Sequence, residues 1–249
     1  MAKPKIGLQL IVYGSRPSED FAGVLSEVAE AGYAGVETGA IFTAEQVPAA
    51  KQALADARLE HCGLHGGFAD MADAARVEDL CGITKELGGH YLICSGVAPG
   101  EGIAAYEKAA DVFNAAGAQG KKAGLTFAYH NHAWEFEEFD GVKGIHRLNE
   151  LIDPALVKLC VDVYWVTIGR ENPAEFIARY ADRAEYFHFK DGAPGEFVEL
   201  GQGTVDLVGA KDAALKTVKE WIVVEQDRSA KEPKVSVAES IQYLHSIGL

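Results

Sequence analysis

The sequence predicts a closed (β/α)8 barrel, a single TIM barrel covering residues 1–249. Three observations carry that expectation. Short β-rich runs alternate with longer helical stretches along the whole chain, eight times at roughly 30-residue spacing, which favours a parallel sheet with right-handed crossovers. The 249 residues are a length that eight strand–helix units fill as one unit. The first strand is followed by Tyr13-Gly14-Ser15-Arg16-Pro17, not by the glycine-rich turn usual in an open doubly wound sheet.

The first β run is Ile6 to Val12, and Phe21, Val24, Leu25 and Val28 mark a helix from Ser18 to Ala31 that Gly32 stops. A second run, Ala34 to Glu37, precedes a helix from Thr43 to Arg58, where Thr43 and Gln46 have capping-box spacing. The third run is Leu59 to His65, with a helix near Asp73 to Leu87. The fourth is Tyr91 to Ser95, with a helix from Ile103 to Ala123. Leu125 to His130 and Val157 to Trp165 are the fifth and sixth runs, with helices near Val142 to Ile152 and Pro173 to Tyr180. The seventh and eighth are Tyr186 to Lys190 and Trp221 to Glu225, closed by helices near Asp206 to Val218 and Val235 to Ile247.

A net charge of −14 argues against binding a phosphate backbone, which needs a basic face. No run of about 20 apolar residues is present, so no membrane span is expected. The four cysteines, Cys62, Cys81, Cys94 and Cys160, are scattered without a CxxC pair and read as reduced core residues. No signal-peptide core precedes the first strand, so the expected location is the cytoplasm.

Polar residues collect at the C-terminal ends of the β runs: Gln9, Glu37, His65, Ser95, His130-Asn131-His132, Asp162, His188 with Lys190, and Glu225. In a parallel barrel those ends open onto one face, so residues remote in sequence meet there. A buried carboxylate without a partner costs several kcal/mol or shifts its pKa. Two carboxylates and two histidines at one mouth therefore point to a shared cation, with His130, Asp162, His188 and Glu225 as ligands of one divalent metal ion. That donor set leans toward Mn, Fe, Co or Zn over Mg. Strand alternation puts His188 with Lys190, and His130 with His132, on one face. Taken singly, each has an ordinary reading: Asp162 as a loop cap, Glu225 as a partner of Arg228, a strand-end histidine as a hydrogen-bonded rim residue. Trp165 and Tyr13 are candidates to wall an apolar side, or to pack in the core.

These motifs resemble the xylose isomerase-like family of TIM barrels, the sugar phosphate isomerase/epimerase group. The resemblance rests on Lys5-Ile6-Gly7-Leu8-Gln9-Leu10, Gly35-Val36-Glu37, the run Tyr129 to Phe136, Val161-Asp162-Val163-Tyr164-Trp165, His188-Phe189-Lys190-Asp191, the run Glu199 to Asp206, and Val224-Glu225-Gln226-Asp227. It implies one divalent metal held by side chains of the fifth to eighth strands in the order Glu, Asp, His, Glu. The last three fall on Asp162, His188 and Glu225. The first departs from the pattern: His130 stands where many relatives carry Glu, with Glu135 as the competing ligand.

The resemblance further implies proton abstraction next to a metal-polarised carbonyl of a small keto- or hydroxy-sugar, as in an isomerase or epimerase. Glu225, Glu135 and His132 are the acid–base candidates, and Lys190 the candidate to stabilise an oxyanion. Gln9, Glu37, His65 and Trp165 are the candidate substrate-binding residues, and the Gly201-Gln202-Gly203 turn a source of backbone N–H groups. The alternative is a lyase or hydrolase that cleaves 3-keto-glycosides by elimination. Neutral substrates are expected over phosphorylated ones, since no basic cluster is evident, and self-association stays open.

Overall fold

Eight parallel strands close on themselves: β1 (Lys5–Gln9), β2 (Gly35–Gly39), β3 (Glu60–Gly67), β4 (Tyr91–Ser95), β5 (Thr126–His130), β6 (Val157–Asp162), β7 (Ala184–Phe189) and β8 (Trp221–Val224). Each strand pairs with its sequence neighbours, and β1 pairs with β8. Eight principal helices coat the outside: α1 (Phe21–Ala31), α2 (Val47–Ala57), α3 (Ala74–Glu86), α4 (Ile103–Ala123), α5 (Gly144–Leu151), α6 (Pro173–Arg179), α7 (Leu207–Ala214) and α8 (Pro233–Ser246). This is the (β/α)8 barrel that the alternation predicts. It is a computed structural model that describes residues 3–100 and 102–249.

Strand alternation divides the buried side chains between two spaces. Outward residues such as Leu8, Val36, Leu92, Phe127, Tyr129, Val161, Phe187 and Val224 pack under the helices. Inward residues form a smaller plug of Cys62, Tyr91, Ile93, Ala128, Cys160, Tyr186, Trp221 and Val223. Trp221 fits because two neighbouring strands carry glycine: a Cβ on Gly35 would meet the Trp221 ring at 2.8 Å and the Glu60 carbonyl at 2.6 Å. The next inward residues toward the strands' C-terminal ends are His130 above Ala128, Asp162 above Cys160, His188 above Tyr186 and Glu225 above Val223. The apolar plug is thus the floor of a polar mouth.

Several element boundaries differ from expectation, each for a local reason. β1 stops at Gln9, whose side chain accepts the Ile11 N–H and starts a 3-10 turn over Leu10–Tyr13. β6 stops at Asp162, whose Oδ1 accepts the Trp165 N–H at 3.0 Å and caps a short helix, Val163–Ile168. Gln46 does bond the Thr43 N–H (2.9 Å), but helix α2 begins only at Val47, so the pair makes a turn ahead of the helix. A small hairpin, Glu138–Phe139 with Val142–Lys143, precedes α5. No described helix is long and apolar enough to cross a membrane. All four cysteines are buried and unpaired.

Candidate metal centre and active site

His130, Asp162 and His188 are fully buried and Glu225 is 4% exposed. Each offers one donor atom, and those atoms all lie within 4.8 Å of one another. Register explains the meeting: Asp162 pairs with His188 across β6 and β7, and the Glu225 N–H bonds the Phe189 carbonyl just beyond the end of β8. His130 Nε2 and Asp162 Oδ2 have no hydrogen-bond partner, and His188 Nδ1 and Glu225 Oε2 have none but each other. His188 Nδ1 lies in very close contact with Glu225 Oε2, and His130 Nδ1 is 4.0 Å from the same oxygen.

Orphaned buried atoms of this kind are costly unless a further group satisfies them. One divalent ion fits. Two donors each about 2.1 Å from an ion are at most about 4.2 Å apart, so the wider pairs would draw in slightly, while His188 Nδ1 and Glu225 Oε2 would part to admit it. His130, Cys160 and His188 form a second, overlapping donor group, with Cys160 Sγ 3.7 Å from His130 Nδ1.

The electrostatics agree. Burial pushes the Asp162 carboxyl up to about 7 against the pull of the Lys190 ammonium. Burial, with His188 and His132 nearby, drives His130 well below the usual imidazole range. Burial works against charge on Glu225 too, but Lys190, His188 and His130 outweigh it and hold its carboxyl well below the carboxylate range. On His188, burial is outweighed by Cys160, Glu37 and Glu225, and its pKa rises. Protons and carboxylates are thus crowded together where a cation would replace the protons.

Behind the cluster, His188 Nε2 lies 2.8 Å from Glu37 Oε2. The same oxygen accepts the Tyr186 hydroxyl at 2.8 Å, and Glu37 Oε1 lies 3.0 Å from His65 Nδ1. Burial alone would raise the Glu37 carboxyl, but His188 and His65 hold it at about 2. A proton on Nε2 shared with Glu37 leaves Nδ1 free to ligate, the carboxylate–histidine arrangement of metal sites. Glu37 was expected to meet substrate hydroxyls. It is instead sealed behind His188 with both oxygens committed. Gln9 differs in the same way, since its side-chain oxygen is used to cap the turn after β1. His65 lies at the edge of the mouth, its ring 5.2 Å from that of His130.

Lys190 is fully buried, and its ammonium contacts Asp227 and lies 3.4 Å from Glu225 Oε1 and 4.0 Å from Asp162 Oδ2. Burial opposes its charge, yet Glu225, Asp162 and Asp227 outweigh that and raise its pKa. It therefore stays an ammonium, 4.6 Å from the Trp165 ring and 4.9 Å from that of Phe197. His132 stacks on Trp134 with ring centroids 4.0 Å apart, and its ring centre lies 5.4 Å from Trp165. Burial, only partly offset by Glu225, lowers the His132 pKa to about 3, so the imidazole is neutral.

Glu135 does not reach the cluster. Its Oε1 accepts the Tyr129 hydroxyl at 2.6 Å and its Oε2 the His132 N–H at 2.8 Å. Tyr129 points outward from β5, so this carboxyl faces away from the barrel axis, whereas His130 lies within the donor cluster. The Gly201 and Gly203 amides are not free either: both donate to Asp191 Oδ2, at 2.9 and 3.0 Å.

Sequence reasoning assigned no role to Asn131, Tyr186, Phe197, Asp191 or Asp227. Asn131 clamps β5 to β6, its amide nitrogen donating to the Asp162 carbonyl at 3.2 Å and its oxygen accepting the Asp162 N–H at 3.1 Å. Tyr186 could have been found, because it stands two residues before His188 and so shares its face.

Fold and donor cluster together place the candidate site at the C-terminal ends of the barrel strands. The chain belongs to the xylose isomerase-like TIM barrel family, which it matches over residues 25–247. It is 27% identical, over 266 aligned positions, to an inosose dehydratase of Geobacillus kaustophilus, covering 89% of this chain and 85% of that protein. Among solved structures, a sugar phosphate isomerase/epimerase from Parabacteroides distasonis superposes with a TM-score of 0.86 at 22% identity, covering 99% and 95% of the two chains. A 3-keto-D-glucoside 4-epimerase from E. coli superposes at 0.77 with 16% identity, covering 98% and 100%. At such identities the structural likeness speaks for the fold alone.

Proposed function

We propose that this protein is a metal-dependent lyase that removes a leaving group β to the carbonyl of a keto-sugar or keto-cyclitol. One observation carries the choice. The fifth strand brings His130, not a carboxylate, to the mouth, and the nearby Glu135 spends both oxygens on Tyr129 and His132. An epimerase must take a proton from one face of a carbon and return it from the other, which asks for two acid–base groups across the substrate. Elimination asks for one base and a charge-stabilising partner. The 27% identity to an inosose dehydratase along most of the chain supports the same reading.

His130, Asp162, His188 and Glu225 would hold the ion, with Mn, Fe, Co and Zn better matched than Mg to two imidazoles and two carboxylates. When bound, such an ion supplies Lewis acidity that acidifies the C–H beside a carbonyl. With Glu225 committed to the ion, the neutral His132 is the one candidate base. His132 Nδ1 has no partner. The Lys190 ammonium, fixed by Asp227, is placed to stabilise developing negative charge on oxygen without reorganising. Trp165 walls the site and excludes water from that charge. His65 is the remaining candidate for substrate hydroxyls, while Glu37 orients His188. Four buried free thiols fit a reducing compartment such as the cytoplasm.

The reading is tested by incubating the metal-loaded protein in D2O with a 3-keto-glycoside and, separately, a keto-inositol. Release of aglycone or water with formation of a conjugated enone is expected. Deuterium uptake at carbon with the skeleton and all oxygens intact would instead establish the isomerase or epimerase.

A further inference from the structure

Near the donor cluster, on the same face of the barrel, the segments after β4 and β5 leave an open hollow of about 710 Å3. Val97, Tyr106, Trp134, Glu137 and Phe139 are among the residues that line it. Trp134 is 45% exposed, although it lies flat on His132 with ring planes 11° apart. One indole face is therefore covered by a residue of the active site, whose ring is itself 4.8 Å from that of His130, and the remaining indole surface opens to the hollow. The walls are braced. Tyr106 donates its hydroxyl to the Trp134 carbonyl at 3.2 Å and packs 5.9 Å from the Phe139 ring. The turn that presents Phe139 has Asp140 and Gly141 at positive φ, 50° and 84°. Among the described residues, no lysine, arginine or histidine lines the hollow, and Glu137 is its only charged side chain.

We propose that this hollow receives the leaving group of the substrate, and that the leaving group is an uncharged, flat aromatic alcohol: the aglycone of a keto-glycoside. The proposal rests on the elimination reading above and narrows it. A hydroxyl lost as water from a free cyclitol would need no such space. A phosphate or carboxylate would find no cation there and would meet Glu137. A planar ring instead gains stacking on Trp134 and Phe139, while Glu137 can accept from a ring hydroxyl. The bond changes balance without any oxidant or reductant. The C–H bond α to the ketone breaks, a C=C bond forms to the adjacent carbon, that carbon's bond to the glycosidic oxygen breaks, and a proton ends on the departing alcohol.

The test is calorimetric titration of the protein, with its metal, by phenyl β-glucoside and by methyl β-glucoside. Neither carries the ketone that the reaction needs. Phenyl β-glucoside is expected to bind about tenfold more tightly, and Trp134→Ala and Phe139→Ala should each erase that difference. The ratio is the readout, because a displaced His132 would weaken both ligands alike. Undetectable or equal binding of the two by the wild-type protein, or a phenyl preference that survives both substitutions, overturns the proposal. Product analysis with the 3-keto forms reads the reaction separately: a phenyl preference without aglycone release keeps the subsite and removes the elimination.

Discussion

Glu135 shows how a single side chain near a functional site can be mistaken for part of it and still matter to the fold. Burial pushes its carboxyl up to about 7, even though the Tyr129 hydroxyl and backbone N–H groups favour the ionised form. The native state therefore holds this proton more tightly than the unfolded chain does. The resulting stabilisation is present below the ordinary carboxylate value of 4.5 and is lost as pH rises through about 7. A shift of that size corresponds to roughly 3 kcal/mol. Glu135→Gln removes the titration but keeps an acceptor for the His132 N–H. Denaturant unfolding at pH 4.5 and pH 8 should show the wild-type protein losing more stability than the variant, by a difference approaching that figure. Equal losses for the two proteins would show that the carboxyl titrates alike in the folded and unfolded chain, and would contradict the raised value. In the sequence, Glu135 looked like a ligand because it follows His130-Asn131-His132 closely; its direction is set by Tyr129 on the outer face of β5, which local spacing does not reveal.

At the scale of elements, the loop between β7 and α7 depends on one carboxylate. Asp191 is 1% exposed and accepts from the backbone N–H groups of Gly192, Gly201, Gly203 and Val205, at 2.8 to 3.1 Å. A Cβ on Gly203 would sit 2.2 Å from its Oδ1, so the approach requires glycine there. Asp191→Ala leaves four amides without their acceptor, at a cost of about 2 to 5 kcal/mol. Hydrogen exchange should then show residues 199–206 losing protection while the barrel strands keep theirs; unchanged protection of the loop would contradict the role assigned to Asp191. Hydrophobic alternation made the order of strands and helices legible. The exact ends were less so, because they are decided by side chains that bond their own backbone, as Asp162 does to Trp165 and Gln9 to Ile11. The Gly201-Gln202-Gly203 segment does form a turn. Its N–H groups are spent on Asp191, a partner ten residues or more away that only the folded loop brings near.

For the whole molecule, the decisive property is layering inside the barrel. Trp221, Tyr186, Tyr91 and their neighbours fill the lower part, and the same inward alternation that places them also places the donors above. The convergence of His130, Asp162, His188 and Glu225 was legible because parallel strands in a closed barrel leave strand ends no other place to meet. The depth of Glu37 was not, since both an outer substrate contact and a brace behind His188 put an inward carboxylate on β2. Separating them needs the Tyr186 hydroxyl and the His188 ring in place. The lyase reading and the aglycone hollow both depend on one ion lying among those four donors. Anomalous diffraction from crystals of the protein purified with its metal tests this most directly. A single peak is predicted within ligand distance of His130, Asp162, His188 and Glu225. A peak bound by His130, Cys160 and His188 without the carboxylates, or a stoichiometric metal located elsewhere, would contradict the account.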